Sequence, residues 1–170
     1  MTSFFKKAAM IAIAVTMSVA THAQAKGDMA AGGNLIIGMG DSYTHVGLGA
    51  KFLYNITDPI RLAGEFDFFM KKNYTSWLDF SVYGHYLFSV ADALVVYPSV
   101  GLGIVNIRAS MPSFMGYGGD TYSDSYFAFS LGGGADYALT PNIVLNGELR
   151  FKIFENTNRV NLVFGVAYKF

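Results

Sequence analysis

The sequence predicts an all-β fold, an eight-stranded antiparallel up-and-down transmembrane β-barrel. Three observations lead there. The first is alternation. In the closing segment "RVNLVFGVAYKF", Val160, Leu162, Phe164, Val166, Tyr168 and Phe170 fall on one side, and Arg159, Asn161, Val163, Gly165, Ala167 and Lys169 on the other. A period of two is that of a strand, and one of its faces is wholly apolar. The second is composition. The 170 residues are 52% hydrophobic and only 14% charged, against about 25% charged for an ordinary soluble domain. After the first two dozen residues, however, no apolar run reaches the roughly 20 residues of a membrane helix. The third is the connections, which alternate between short turns and longer polar loops.

The N-terminus has the three parts of a secretory signal peptide. "MTSFFKK" supplies Lys6 and Lys7, "AAMIAIAVTMSVA" is an apolar core too short to span a bilayer easily, and "THAQA" offers small residues at Ala23 and Ala25. The expected organisation is a cleaved signal peptide over 1–25 and a single barrel domain over 26–170, with Ala23 as the alternative cleavage position. No cysteine is present. That excludes a lipoprotein anchor, a disulfide framework, thiolate chemistry and a zinc–cysteine site.

The remainder divides into eight alternating runs, at approximately 31–40, 44–55, 60–71, 76–88, 94–107, 125–138, 143–154 and 159–170. In the third, Leu62, Gly64, Phe66, Phe68 and Met70 oppose Arg61, Ala63, Glu65, Asp67 and Phe69. The seventh sets Ile143, Leu145, Gly147, Leu149, Phe151 and Ile153 against Val144, Asn146, Glu148, Arg150 and Lys152. Strands of this length at a tilt near 45° cross a hydrocarbon core. The runs are joined on one rim by "NITDPI", "SVADAL" and "ALTPNI", three turns of related chemistry that form a weak repeat. On the other rim come "DSYT", "KKNYTS", the long "RASMPSFMGYGGDTYSDS" and "ENTN". In outer-membrane barrels the short turns face the periplasm and the long loops the outside; both termini are therefore expected in the periplasm.

A soluble sandwich or lipocalin-like barrel also alternates, but its apolar face points inward, and the inside of eight strands cannot absorb this many large aromatics. The second face here carries glycine, alanine, serine and ion-pairable charge, which suits a crowded interior better than a solvated surface. Closure also removes strand edges that lipid could not satisfy.

Taken almost end to end, the chain resembles the small eight-stranded outer-membrane barrels of the OmpA/OmpX type. Its most specific element is the closing strand, in which Phe164, Val166, Tyr168 and Phe170 resemble the signal read by the barrel-assembly machinery. The resemblance implies an integral protein of the bacterial outer membrane, with lipid, lipopolysaccharide and that machinery as partners.

The strongest constellation of chemical groups faces the lumen. Lys51, Arg61, Glu65, Asp67, Asp79, Glu148, Arg150 and Lys152, with His85 and Asp136, project inward, and their signs alternate between neighbouring strands. An eight-stranded bore is only wide enough for side chains to fill it, so these charges must pair or suffer heavy desolvation. A filled, structural lumen is the expected outcome. His85 with Asp79, Ser81 and Ser89 raises a lipid-modifying hydrolase as an alternative. The outer-membrane deacylases place their histidine two residues from a serine on the outside, whereas Leu87 follows His85 at that spacing. His45 has no second ligand at metal spacing. "GLGIVN" and "LGGGAD" lack the helix and lysine of a phosphate cradle. Gly101, Gly103, Gly132 and Gly134 instead admit bulky interior neighbours.

Aromatic girdles are expected at both interfaces, with Tyr54, Tyr86, Tyr137, Tyr168 and Phe170 on the turn side and Tyr43, Tyr74, Trp77 and Phe154 on the loop side. The long loop, 108–125, carries Met111, Phe114, Met115, Tyr117 and Tyr122 among glycines. It is expected either to contact an extracellular protein or an envelope partner, or to fold over the barrel mouth. Twelve basic and twelve acidic residues balance, so nothing points to nucleic acid. The expected role is structural or surface-interaction, with no catalysis, no cofactor and no open pore; a small-solute channel is the alternative.

If the closing strand is the targeting element, deleting Phe170 leaves protein in the periplasm for proteases. Membrane fractionation and immunoblotting report it, and normal membrane levels of the deletion would count against the signal.

Overall fold

The structure, a computed structural model, describes residues 25–40, 44–72, 75–110, 121–155 and 157–170. Nine strands appear among them: β1 (Met29–Gly40), β2 (Thr44–Asn55), β3 (Ile60–Lys72), β4 (Thr75–Tyr86), β5 (Phe88–Ala91), β6 (Leu94–Ser110), β7 (Thr121–Ala138), β8 (Ile143–Phe154) and β9 (Thr157–Lys169). They hydrogen-bond in the order β4-β3-β2-β1-β9-β8-β7-β6-β5, and β4 also pairs with β6, which closes the sheet. β5 continues β4, because His85↔Ser99 and Phe88↔Val96 keep one register along β6. The closed sheet is therefore an eight-stranded antiparallel barrel.

Two boundaries differ from the sequence reading. The fourth run continues to Ala91 with a break at Leu87, whose amide donates to the Pro59 carbonyl at 2.7 Å in the neighbouring turn. β6 and β7 also run past the expected ends, to 17 and 18 residues. Beyond Val105 the side chains cease to alternate, but the backbone ladder continues to Ser110↔Thr121. Asn106 Nδ2 donates across it to Ser123 Oγ and Ser125 Oγ at 3.1 and 3.0 Å. Outside lipid, a hairpin can be polar on both faces, so hydrophobic periodicity no longer marks where it ends.

Two of the short turns share one chemistry. In "ITDPI" the Ile60 amide donates to Thr57 Oγ1 at 3.1 Å, and in "LTPNI" the Ile143 amide donates to Thr140 Oγ1 at 3.0 Å. Ile56 and Leu139 donate to the carbonyls of Ile60 and Ile143, each at 2.9 Å. In each turn, the threonine hydroxyl satisfies a backbone amide three residues on and closes the turn locally. At the same rim, Lys26 N donates to Asp58 Oδ1 at 2.8 Å, Lys169 Nζ meets Asp28 at 3.0 Å, and Phe170 N donates to the Met29 carbonyl at 3.1 Å. Burial would raise the Asp28 carboxyl, but the Ala25 amide and Lys169 together hold it below its ordinary 3.8. Residues 26–29 and 169–170 are thereby tied to each other and to the turn at Asp58.

The outer face is a continuous apolar belt that includes Leu48, Phe66, Phe80, Leu102, Phe129, Leu149, Phe151, Phe164 and Tyr168, all exposed; the inward positions are buried and largely polar. Tyr54, Tyr86, Tyr137, Tyr168 and Phe170 lie outside on the turn rim. Trp77 and Phe154 do not join the girdle at the other rim. Trp77 has the parity of Asp79, and Phe154 that of Lys152, so both point into the bore, where their rings meet edge-to-face at 5.7 Å. Strand phase outweighed residue type. Tyr43, Tyr74, Met111, Phe114, Met115 and Tyr117 lie outside the described residues, as do residues 1–24; Tyr122 lies in β7 opposite Ala109.

Because Leu149 sits on the belt, Leu149→Arg destabilises the folded barrel by about 2–4 kcal/mol near the bilayer midplane. Unfolding titrations in lipid vesicles measure it.

Candidate functional site

The lumen is built in three charged layers. In the layer nearest the turns, Arg61 of β3 reaches Asp136 of β7, with Nη1 to Oδ2 at 2.5 Å. Its Nε donates to His85 Nδ1 of β4 at 3.1 Å. A guanidinium can only donate, so His85 accepts there as the neutral ring with its proton on Nε2. Tyr97 of β6 donates to Asp136 Oδ1 at 3.1 Å and stacks on His85 with ring centroids 4.5 Å apart. Arg61 also lies over the Tyr97 ring at 4.7 Å.

The middle layer centres on Arg150 of β8. Its two terminal nitrogens fork onto Glu65 of β3 at 2.6 and 2.8 Å, and its Nε donates to Glu148 at 2.7 Å. Bidentate pairing of this kind is among the stronger charge-assisted arrangements. The guanidinium rests on the Tyr83 ring at 4.1 Å. Asn146 donates to Glu148 at 2.8 Å and accepts from Lys51 Nζ, and Asn34 of β1 donates to Glu65 at 3.4 Å.

In the third layer, Lys152 donates to Asp79 at 3.0 Å and to Ser81 at 3.1 Å, and Arg159 of β9 also bonds Asp79. Above it an apolar cap of Ile36, Phe69, Trp77, Val105, Ala128, Phe154 and Val163 fills the loop end. Arg159 lies under the Phe69 ring at 4.3 Å. At the turn end, Leu87 and Val95 pack against Tyr97, and Ala30, Leu53, Ala63 and Ala167 against Tyr83. A cavity of about 20 Å³ beside Arg61, lined by Leu53, Asn55, Val144 and Ala167, has room for about one water.

Two inward glycines make this density possible. A Cβ on Gly101 would stand 2.3 Å from the Tyr83 ring, and one on Gly134 would stand 2.5 Å from Glu148 Cγ. Each glycine gives its space to a cross-strand partner that crosses the bore.

All eight residues of the expected lumen set are buried, with Asp79 0% and Arg150 1% exposed. Six of them enter ion pairs; Lys51 takes the amide of Asn146 instead, and Asp67 forms no ion pair among the described residues. The sequence reading left out Arg159, Tyr97, Asn34 and Asn146. Arg159 was legible in principle. It stands opposite Lys152 in the β8–β9 register, and two facing cations in a dry bore call for an anion, which Asp79 provides. Among the described residues the bore then holds five basic side chains (Lys51, Arg61, Arg150, Lys152, Arg159) and five acidic ones (Glu65, Asp67, Asp79, Asp136, Glu148). Among the described residues, no group of histidine and acidic side chains is arranged to hold a metal. In β9, Phe164, Val166, Tyr168 and Phe170 all project outward, exposed, and the strand is paired on both sides by β8 and β1.

Residues 9–170 match the family model described as outer membrane protein beta-barrel domain. The chain belongs to that family. It is an integral outer-membrane β-barrel protein of the Gram-negative type. Its fold is similar to the N-terminal β-barrel domain of OprF from Pseudomonas aeruginosa, with 15% identity, 86% of this chain and 100% of that chain covered, and a TM-score of 0.64. Neisserial surface protein A is similar with 16% identity, 84% and 96% covered, and a TM-score of 0.67. Ail of Yersinia pestis, solved in complex with the heparin analogue sucrose octasulfate, shows 17% identity, 85% and 99% covered, and a TM-score of 0.61. No curated protein matches the chain.

Because Arg150 is buried against two carboxylates, Glu65→Ala strands a cation and costs about 3–5 kcal/mol. The double variant Glu65→Leu with Arg150→Met removes charge from both sides and recovers most of that loss. Urea titrations of the parent and both variants test the pair.

Proposed function

We propose that this protein is a non-enzymatic outer-membrane barrel with a structural or surface-interaction role, whose bore is closed by its own side chains. The observation that carries the reading is the stack of three ion-paired layers between apolar ends. An ion crossing that stack would have to break buried pairs and displace the cap of Phe69, Trp77 and Phe154. A passive channel needs the opposite, a bore whose charges face water. The catalytic alternative also lacks a geometric footing, since His85 Nδ1 is taken by Arg61 and Ser81 by Lys152.

In this reading the signal peptide is removed after Ala25, leaving 26–170 as the barrel domain, and both termini and the turns face the periplasm. The closing strand, through Phe164, Val166, Tyr168 and Phe170, is the element captured by the barrel-assembly machinery. Lipid meets the apolar belt, lipopolysaccharide meets the outer rim, and the loop 108–125 with Met111, Phe114, Met115, Tyr117 and Tyr122 offers a contact surface to an extracellular or envelope partner. That the similarly folded Ail was solved in complex with a heparin analogue, sucrose octasulfate, supports an interaction role here.

Recordings in planar bilayers separate this from the channel reading. The parent protein gives no steady conductance, and Glu148→Ala lowers stability without opening a pore. A steady, selective current from the parent, altered in selectivity by Glu148→Ala, would overturn the closed-bore reading.

A further inference from the structure

The wall between β4 and β6 has a gap in its ladder near the turn rim. The Leu87 amide donates to the Pro59 carbonyl, on the β3 side, at 2.7 Å. In an antiparallel strand successive residues direct their N–H and C=O to opposite sides, so Tyr86 turns both of its groups to β6. The residue it meets there in the β4–β6 register is Pro98, and a proline has no N–H to give. The pairing accordingly skips from His85↔Ser99 to Phe88↔Val96, and the ladder leaves the Tyr86 carbonyl without its donor. In hydrocarbon such a group would be costly. Tyr86 stands in the girdle at the turn rim, however, and aromatic girdles mark the headgroup level, where a partner can come from outside the protein.

An open groove of about 380 Å³ lies at this gap, lined by Ile60, Gly84, Tyr86, Pro98, Val100 and Leu131. Ile60, Tyr86, Val100 and Leu131 are exposed members of the apolar belt, so the groove opens toward lipid. A Cβ on Gly84 would meet nothing closer than Val100 at 3.9 Å; the absent side chain leaves the groove its depth. The Tyr86 ring packs against Phe88 with centroids 4.9 Å apart. The flanking turns, 56–59 and 87–93, carry Asp58 and Asp92 and no lysine or arginine, and Asp58 accepts from the Lys26 amide at 2.8 Å.

We propose that this groove binds one phospholipid with a primary ammonium headgroup, an ethanolamine lipid. An acyl chain lies along Ile60, Val100 and Leu131, continuing the belt that already faces lipid, and the ammonium donates to the Tyr86 carbonyl. That carbonyl selects the head, because an acceptor can be met only by a donor. A phosphate oxygen cannot serve, and neither can a choline head, whose quaternary nitrogen carries no hydrogen. The acidic turns favour a cationic nitrogen over the anionic head of a glycerol lipid. The site does not depend on what the loops contact or on whether the bore conducts.

The test is native mass spectrometry of the full-length folded protein in detergent, offered dioleoyl phosphatidylethanolamine, phosphatidylcholine and phosphatidylglycerol in equal amounts. The ethanolamine lipid is retained about tenfold over the choline lipid of the same chains, the size of one hydrogen bond to a charged group. Pro98→Ala restores the amide that meets Tyr86, and the preference disappears while heat-modifiable migration shows the barrel still folded. Gly84→Leu fills the groove and lowers the retention of every lipid. In nanodiscs the carbon-13 resonance of the Tyr86 carbonyl moves downfield when ethanolamine lipid replaces choline lipid, in the parent and not in Pro98→Ala. Equal retention of the ethanolamine and choline lipids, equal retention of the glycerol lipid, or a preference that survives in Pro98→Ala would each overturn the proposal.

Discussion

Within a hydrocarbon core every backbone N–H and C=O must find a partner inside the protein, and in this chain that requirement is met by pairing the first strand with the last. β1 and β9 run antiparallel from Ala30↔Lys169 to Gly40↔Arg159. Once that seam closes, the remaining geometry follows. Side chains at one parity face lipid and those at the other face a bore too narrow for bulk water. The bilayer thus decides the chemistry of the outer face, and closure decides that of the inner one. The β8–β9 hairpin also sets Arg159 directly opposite Lys152 on the lumen side, and so creates the demand that Asp79 meets from across the barrel.

The interior solves a packing problem and an electrostatic one with the same residues. Arginines serve both ends: Arg150 forks onto Glu65 while lying flat on Tyr83, and Arg61 pairs with Asp136 while lying on Tyr97. A planar guanidinium accepts carboxylates at its edge and an aromatic ring on its face, which lets one side chain tie three strands together. Lysine cannot do this, and Lys51 and Lys152 accordingly meet amide, hydroxyl and carboxylate oxygens at their tips. Buried pairs of this sort give little net stability over an apolar core of the same shape. Their value in a barrel lies elsewhere. A chain crossing an aqueous periplasm before insertion is better served by polar inward faces than by strands apolar on both sides.

At the loop rim the rules change. Below it, lipid imposes strict alternation; above it, β6 and β7 continue as a ladder in which β7 rises past β8. The barrel fold shared with OprF, Neisserial surface protein A and Ail is a scaffold that many roles can occupy, and one element projects from it at the loop rim. Here that is a hairpin anchored on an apolar cap and bordered by Asp124 and Glu155.

Alternation, composition and turn chemistry by themselves determined the strand number, the membrane, the inward placement of Lys51, Arg61, Glu65, Asp67, Asp79, Glu148, Arg150 and Lys152, and the outward placement of the closing aromatics. Those properties depend only on period and parity along a single strand, which are local. Which charge meets which was decided by the tertiary structure, because Arg150 and Glu65 lie 85 positions apart in the chain and Arg159 and Asp79 lie 80 apart. Their partnership depends on register and on the curvature of the closed sheet. The same holds for Trp77 and Phe154. Residue type suggested an interfacial girdle, but closure at a fixed phase turned both rings into the bore. The height of the β6–β7 hairpin was likewise invisible, since a backbone ladder outside lipid leaves no hydrophobic period to read.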